Sequence, residues 1–222
     1  MTPFDSQRHH RRSIRLKGHD YAQAGVYFVT ICTQGRECLF GEVVNDRMQL
    51  NDAGRMMESA WLDLPNRFPT VELDEFVIMP NHMHGIIVIV AADVGAGLVP
   101  ALGVDLVPTP DATASRATTR VAPTATRPKL GDIVGVYKSI TTDEYIVGVK
   151  QCGWPRFDRK LLQRNYYEHI IRNERELDAI RRYIANNPLK WALDLDNPAN
   201  WKRRAVKDTA DIVYLYLREA GL

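Results

Sequence analysis

The alternation of hydrophobic and polar positions predicts a set of short strands. Residues 25–34 (GVYFVTICTQ) are rich in β-branched and aromatic residues, which indicates a buried strand. Residues 70–80 (TVELDEFVIMP) begin with alternation and become apolar, and residues 84–90 (HGIIVIV) are largely apolar, so both predict strands. The PNHM connection between them predicts a hairpin, with His82 and His84 at the base of its second strand.

Three segments have the periodicity or the end signals of helices. Asn51 or Asp52 can cap a helix that carries an apolar stripe and ends before the next proline. Residues 130–148 (LGDIVGVYKSITTDEYIVG) repeat apolar side chains at helical spacing. Asn173 is a good N-cap for the third helix, which has an acidic first turn and is expected to end at Pro188.

The order of these elements predicts the fold class. Residues 35–50 indicate a hairpin-like excursion after the first strand, and residues 164–173 (RNYYEHIIRN) predict a fourth strand before the last helix. Without the excursion, the order is strand, helix, strand, strand, helix, strand, helix. This order predicts an α+β fold, a ferredoxin-like sandwich in which an antiparallel sheet is covered by helices on one face.

Composition changes along the chain divide it into regions. Residues 91–129 consist mostly of Ala, Pro, Thr, Gly and Val with few aromatic residues, which predicts a flexible insertion. Residues 1–20 are expected to form a basic N-terminal arm. Residues 191–222 are expected to form a C-terminal extension with a short helix near residues 212–219. Residues 21–190 then form the single main domain.

The overall composition is that of a soluble globular protein. Of 222 residues, 45% are hydrophobic and 25% are charged. No apolar stretch reaches the roughly 18 to 20 residues that a membrane span needs, and the N-terminus lacks the apolar segment of a secretory signal. The three cysteines are odd in number and have no CxxC spacing, which disfavours a disulfide framework or a cysteine zinc site. We therefore expect a cytoplasmic protein without a membrane partner.

The net charge of +2 conceals an uneven distribution of charge. Residues 8–17 contain five Arg or Lys residues and no Asp or Glu, and residues 150–190 contain ten Arg or Lys against five Asp or Glu. Such segregation favours a polyanionic partner, although a solvated basic face is the commoner outcome of any single charge run.

The most distinctive polar feature is the pair His82 and His84. Residues two apart in a strand face the same way, so both imidazoles can point to one place while Met83 and Gly85 face the opposite side. Two histidines on one rigid strand suit a borderline metal ion such as Mn, Zn, Fe, Co, Ni or Cu. The alternative is a pair of ordinary surface or core histidines, and a metal site would need a third ligand.

A second candidate lies near the end of the third predicted helix. Tyr183 and Asn187 are four residues apart and therefore lie on one helical face. An amide oxygen from Asn187 could complete a two-histidine site, and the Tyr183 hydroxyl could act as a nucleophile. The alternative is that Tyr183 is a packing residue and Asn187 is the C-cap before Pro188.

Further polar groups flank this helix. Alternation in the fourth strand puts Tyr167 and His169 on one side, where His169 could be a packing residue or a polar contact near the site or to DNA. Four arginines could contact phosphates, although arginines on a helix are solvated by default: Arg172, Arg175, Arg181 and Arg182.

Four stretches together resemble a known family. MPNHMHGIIVIV and the downstream RNYYEHIIRNERELDAIRRYIANNPLKW resemble the IS200/IS605-type single-tyrosine transposases, and more closely their REP-associated branch. The stretches RRSIRLKGHDYAQAGVYFVTICTQGRECLFGEV and GDIVGVYKSITT also resemble that branch. The resemblance covers most of the chain outside the insertion and the C-terminal extension. It implies the same ferredoxin-like fold.

The resemblance assigns roles to particular residues. It implies that His82 and His84 bind a divalent metal, Mg²⁺ or Mn²⁺, with Asn187 as the third protein ligand. It implies that Tyr183 is the nucleophile and that His169 supports the site. Residues 21–190 would then be the catalytic domain of a single-tyrosine transposase.

The implied activity is metal-dependent cutting and transfer of single-stranded DNA, on hairpin or palindromic substrates, through a 5′-phosphotyrosine. Such an enzyme would be associated with the nucleoid, and it could be a homodimer or a monomer. Contacts to the DNA backbone are expected from the basic arm and the last helix, namely from Arg11, Arg12, Arg15, Lys17, Arg172, Arg181 and Arg182.

Two alternatives to this activity stay open. The chain could be a catalytically inactive protein that binds structured DNA or RNA. It could also be an unrelated metal hydrolase, although the lack of a clustered carboxylate base disfavours that function.

Overall fold

The computed structural model describes residues 18–91, 127–194 and 196–203, without the side chains of residues 201–203. The basic residues up to Lys17, most of the predicted insertion and the predicted helix near residues 212–219 lie outside the described residues. Within the described part of the chain, no helix has the length and apolar character needed to cross a membrane.

The described residues form six strands and five helices. The strands are β1 (Gly25–Cys32), β2 (Gly41–Val44), β3 (Arg47–Leu50), β4 (Val71–Ile78), β5 (His82–Ile89) and β6 (Tyr167–Ile171). The α-helices are α1 (Asp52–Leu62), α2 (Leu64–Arg67), α3 (Leu130–Gln151), α4 (Glu174–Ala185) and α5 (Asn187–Lys190). Short 3-10 turns lie at Gln34–Arg36, Trp191–Leu193 and Pro198–Arg203.

Four strands form the main sheet, in the order β4-β5-β1-β6, and every neighbouring pair is antiparallel. The predicted hairpin of β4 and β5 is present, but β5 begins at His82, two residues earlier than the pattern indicated. Both histidines therefore lie within the strand and are held by its pairing. The predicted excursion after β1 contains the small β2–β3 hairpin, which turns at Asn45 and Asp46 with positive φ values of 50° and 60°.

Helices α1 and α3 cover one face of the main sheet. The N-cap of α1 is Asn51, whose Oδ1 accepts a hydrogen bond from the backbone N–H of Gly54. The side chains that meet in this core alternate along the strands, including Tyr27, Val29, Ile31, Met83 and Ile87. The predicted α+β ferredoxin-like sandwich is confirmed.

The opposite face of the sheet is covered by α4. Its N-cap is Asn173, as predicted, because Asn173 Oδ1 accepts from the backbone N–H of Glu176 at 2.9 Å. Phe28 and Ile86 point to this face, where they pack against Leu177, Ile180, Tyr183 and Ile184. This second, smaller core leaves room beside it for the polar residues of β5.

Gly85 allows α1 to approach the sheet closely. A Cβ added at this position would lie 2.5 Å from Cζ2 of the buried Trp61. The glycine between His84 and Ile86 is therefore needed for packing on the α1 side, while its neighbours face α4.

We expect the substitution Gly85→Ala to lower the free energy of unfolding by about 1–3 kcal/mol, because the Trp61 ring must shift in a close-packed core. Gly135→Ala is the control: nothing lies within 4 Å of its added Cβ, and alanine in a helix interior should stabilise by up to about 1 kcal/mol. Urea unfolding of both variants measures the difference. Equal stability of Gly85→Ala and the original chain would contradict the close approach.

Candidate active site

His82 and His84 lie side by side on the α4 face of β5. Both rings are buried, and their centroids are 4.6 Å apart. The pairing of β5 with β1 places His82 opposite Cys32 and His84 opposite Thr30. The predicted common orientation of the two imidazoles is therefore present.

Each imidazole is held through its Nδ1 atom. His82 Nδ1 lies 2.8 Å from Asn81 Oδ1, and His84 Nδ1 lies 2.8 Å from Thr30 Oγ1. The Phe28 ring stacks on His84 with a centroid distance of 5.4 Å. These contacts leave the Nε2 atoms as the positions available for chemistry. Sequence reasoning gave Asn81 and Thr30 no role at the site, although Thr30 lies in a strand that was predicted.

The Nε2 side of the pair faces Tyr183 and Asn187. The Tyr183 hydroxyl lies 3.3 Å from His84 Nε2, and its ring centroid is 5.1 Å from that of His84. The Asn187 amide lies close enough to influence the pKa of both His82 and Tyr183. The four residues singled out from the sequence thus meet in one buried place.

Asn187 reaches this place from a different element than predicted. Helix α4 ends at Ala185, and its C-cap is Asn186. Asn187 is the first residue of α5, with Pro188 next to it. The expectation that one helix continues to Pro188 is wrong, because the chain turns at Asn186 and starts a new helix there. The alternative interpretation of Asn187 as a C-cap is wrong for the same reason.

Two buried polar atoms at the site have no hydrogen-bond partner among the residues that the structure describes. They are His82 Nε2 and Asn187 Oδ1. Leaving a buried polar atom unpaired costs roughly 1–3 kcal/mol, so such atoms usually have a function. Both are good donors to a divalent cation, as is His84 Nε2. The residues present therefore fit a metal ion.

Asn187 is needed for any metal site here. Within the described residues, no group of three or more His, Cys, Asp or Glu side chains could hold a metal ion. Two imidazoles and one amide are all neutral, so a cation bound by them would keep its full charge toward an anionic substrate.

Burial controls the charge state of the site. It lowers the pKa of His82, partly offset by the negative charges of Asp196 and Asp194. It lowers the pKa of His84 further, and the neighbouring His82 adds to that effect. Both imidazoles are therefore neutral at pH 7, as metal ligands must be.

The Tyr183 phenol is protonated in the protein alone. Burial raises its pKa well above the usual value of a phenol, and the negative charge of Asp194 raises it further. The Asn187 amide acts in the opposite direction by hydrogen bonding to the phenol. A nucleophilic Tyr183 therefore needs a nearby positive charge.

The C-terminal extension contributes to the site, which sequence reasoning missed. The Trp191 ring lies 6.1 Å from the ring of His82. Asn200 holds this segment in place by donating through Nδ2 to the carbonyls of Ala192 and Asp194 at 2.9 and 2.8 Å. The buried Asp196 forms an ion pair with Arg36. No local pattern in residues 191–200 indicates these contacts, which bring together segments distant in the chain.

His169 is linked to α4 rather than directly to the histidine pair. Its Nε2 lies 2.7 Å from Glu176 Oε1, and Glu176 Oε2 accepts the backbone N–H of Arg172 at 2.7 Å. This contact joins β6 to the first turn of the helix that carries Tyr183. Any support that His169 gives to the site therefore passes through the position of α4.

The arginines proposed for DNA binding have different environments. Arg172 and Arg182 are exposed. Arg181 makes a bidentate contact with Asp74 of β4, at 2.8 and 2.6 Å, and also contacts Asp178. Its charge is therefore largely compensated, and it holds α4 on the sheet. The remaining predicted contacts, Arg11, Arg12, Arg15 and Lys17, lie outside the described residues.

The Asp74–Arg181 pair should make stability depend on pH. Hydrogen bonds from Arg181 lower the pKa of Asp74, so its stabilising effect is present above the usual carboxyl pKa and is lost as the pH falls through the lowered value. Because Arg181 and Asp74 remain partly exposed, at 38% and 19%, we expect Asp74→Asn to reduce stability by about 1 kcal/mol or less at pH 7.

This difference should vanish in acid, as unfolding curves between pH 7 and pH 2 would reveal. Asp178→Asn is the matched control, because Asp178 contacts Arg181 through a single 3.3 Å bond. We expect it to change stability by only a few tenths of a kcal/mol. A deficit of Asp74→Asn that persists unchanged at pH 2 would contradict the ion-pair explanation.

Comparison with known proteins places the chain among relatives from bacteria. It is 40% identical over 196 residues to an uncharacterized protein of Haemophilus influenzae, and the match covers 87% of this chain and 96% of that protein. No family model matches the chain.

Two solved structures have similar folds. One is a REP-associated tyrosine transposase bound to a REP hairpin, with a TM-score of 0.46 and 17% identity over 81% of this chain and 73% of that chain. The other, from Deinococcus radiodurans, has a provisional assignment as a transposase, with a TM-score of 0.38 and 15% identity over 78% of this chain and 97% of that chain. The function of this chain has to rest on its own residues.

Proposed function

We propose that this chain, which belongs to the same family as the Haemophilus influenzae protein, is a single-tyrosine transposase of the REP-associated type. It cuts and rejoins single-stranded or hairpin DNA. One observation carries this proposal: the Tyr183 hydroxyl lies 3.3 Å from His84 Nε2, beside the buried and unpaired donor atoms of His82 and Asn187. A nucleophile next to a vacant set of neutral metal ligands suits phosphodiester transfer.

The tyrosine provides a reaction that needs neither water nor ATP. Tyr183 Oη forms a bond to phosphorus while the bond from phosphorus to the 3′-oxygen breaks. Oη loses its proton, and the leaving 3′-oxygen takes one up. The products are a 5′-phosphotyrosine and a free 3′-hydroxyl, so atoms and charges balance. Attack by another 3′-hydroxyl on the phosphotyrosine reverses the step and joins new strands.

The buried position of Tyr183 explains why the other residues are needed. The phenol is protonated in the protein alone, because burial and Asp194 both raise its pKa. Asn187 favours the phenolate through its amide, and the contact with His84 keeps the hydroxyl directed at the histidine pair. A divalent cation, Mg²⁺ or Mn²⁺, held by His82, His84 and Asn187 would offset the negative charge of the phenolate and of the phosphate.

DNA would approach from the side of the sheet covered by α4. Exposed Arg172 and Arg182 lie before and within this helix, and phosphate contacts from such residues give an affinity that falls with salt. Single-stranded or unpaired DNA is the expected substrate, because the scissile phosphate must reach a buried hydroxyl beside a sheet.

A covalent adduct tests the nucleophile directly. The chain is incubated with Mn²⁺ and with single-stranded oligonucleotides that span palindromic sequences flanking its gene. The label is placed at the 3′ end, because the downstream fragment keeps the phosphotyrosine. We expect an adduct that survives denaturing electrophoresis, and a loss of roughly 10³-fold or more in Tyr183→Phe.

Tyr167→Phe is the matched control, since Tyr167 packs in the same apolar cluster as Tyr183, and we expect it to form the adduct normally. An undiminished adduct in Tyr183→Phe would show that another residue is the nucleophile. Salt-dependent hairpin binding without any adduct, whatever the metal, would instead favour an inactive DNA-binding protein.

Binding of Mn²⁺ tests the ligand set without DNA. We expect electron paramagnetic resonance to detect one bound Mn²⁺ per chain, and the ion at about 100 times its Kd should stabilise the fold by about 2.7 kcal/mol. His82→Ala and Asn187→Ala should each weaken binding by more than about 100-fold, beyond the usual effect of a supporting residue.

His19→Ala is the control, because His19 contacts Tyr27 in the other core and should leave Mn²⁺ affinity unchanged. Equal affinity of His82→Ala and the original chain, or no binding at all, would refute the proposed metal centre.

A further inference from the structure

We propose that Asn81 is a positioning residue that fixes the tautomer of His82 and so presents the lone pair of His82 Nε2 to the site. The consequence for metal binding rests on the proposed function. The tautomer itself rests on hydrogen-bond geometry in the protein alone.

The orientation of the Asn81 amide is determined by two carbonyl groups. Asn81 is fully buried, and its Nδ2 lies 3.0 Å from the carbonyl oxygen of Arg36 and 2.7 Å from that of Asp196. A carbonyl oxygen can only accept, so both amide hydrogens are used. Turning the amide over would put Oδ1 against two oxygens and leave a buried NH₂ facing the histidine.

This orientation leaves Asn81 Oδ1 toward His82 Nδ1, at 2.8 Å. An amide oxygen accepts hydrogen bonds and cannot donate, so Nδ1 must carry the hydrogen. In the neutral ring, Nε2 then has no hydrogen and offers a lone pair. A histidine side chain in water favours the opposite tautomer, so Asn81 reverses the ordinary preference.

His84 provides an internal contrast. Its Nδ1 contacts the hydroxyl of Thr30 and its Nε2 contacts the hydroxyl of Tyr183. A hydroxyl can donate or accept, so these contacts are compatible with either tautomer. Of the two histidines, it is His82 whose tautomer the structure determines. His82 Nε2 is also the buried ring nitrogen without a partner among the described residues.

The two carbonyls come from segments far apart in the chain. Arg36 ends the turn after β1, and Asp196 lies in the C-terminal extension, 115 residues after Asn81. The side chains of Arg36 and Asp196 form an ion pair that keeps the two segments together. Asn81 therefore transmits the docking of the C-terminal segment to the ring of a candidate metal ligand. Groups that support metal ligands in this way commonly affect affinity 10- to 100-fold.

Nitrogen NMR of the metal-free full chain tests the tautomer. With ¹⁵N-labelled histidine, long-range proton–nitrogen correlation distinguishes a protonated ring nitrogen from an unprotonated one. The chain has six histidines, and the His82 signals are those lost in His82→Ala. We expect His82 to have its proton on Nδ1.

Three variants separate the role of Asn81 from general packing. In Asn81→Ala, the His82 proton should move toward Nε2 while the His84 signals stay in place, and Mn²⁺ should bind about 10- to 100-fold more weakly. Asn81→Asp keeps an acceptor at the same position, so His82 Nδ1 should remain protonated. Asn200→Ala loosens the C-terminal segment at another point and should leave the His82 tautomer unchanged.

A His82 proton on Nε2 in the original chain overturns the proposal, as does an unchanged His82 pattern in a folded Asn81→Ala. If Asn81→Ala does not fold, the original chain and Asn81→Asp decide between the outcomes. The absence of Mn²⁺ binding or of a DNA adduct in the original chain would refute the proposed function instead, because the tautomer is measured without metal or DNA.

Discussion

The pairing of β1 with β5 is the constraint on which the site depends. Its register places His84 opposite Thr30 and His82 opposite Cys32, with the imidazoles on the α4 face. Because side chains alternate along a strand, a slip of one residue would turn both histidines into the core under α1 and α3. The apolar side chains of β5 prevent that slip, since Met83 and Ile87 fill the larger core. The polar site is thus positioned by the burial of its apolar neighbours.

The site contains polar groups that only partly satisfy one another. Asn81 and Thr30 pair with the Nδ1 atoms, and Tyr183 contacts His84 Nε2. His82 Nε2 and Asn187 Oδ1 are buried without a partner among the described residues. Burial also keeps the histidines neutral and the phenol protonated. A bound cation would relieve both features at once, because it supplies a partner for the donor atoms and positive charge for the phenolate.

Much of the fold and half of the site could be predicted from local patterns. The four strands of the sheet, the caps Asn51 and Asn173, and the common face of the histidines all follow from periods of 2 or 3.6 residues and from cap chemistry. The turn at Asn186 could not be predicted, because Pro188 signals an end of the helix without showing where the chain goes next. The ion pair of Arg181 with Asp74 was also missed, since it joins residues 107 positions apart.

The sequence by itself determined which residues can do chemistry and which side of its own element each one occupies. It did so because neighbours along a strand or helix have fixed relative directions. Only the tertiary structure decided which of these residues meet. Tyr183 contacts His84 across 99 residues, and Asn81 is held by a carbonyl 115 residues away. Such contacts depend on how apolar faces pack together, and no local period encodes that packing.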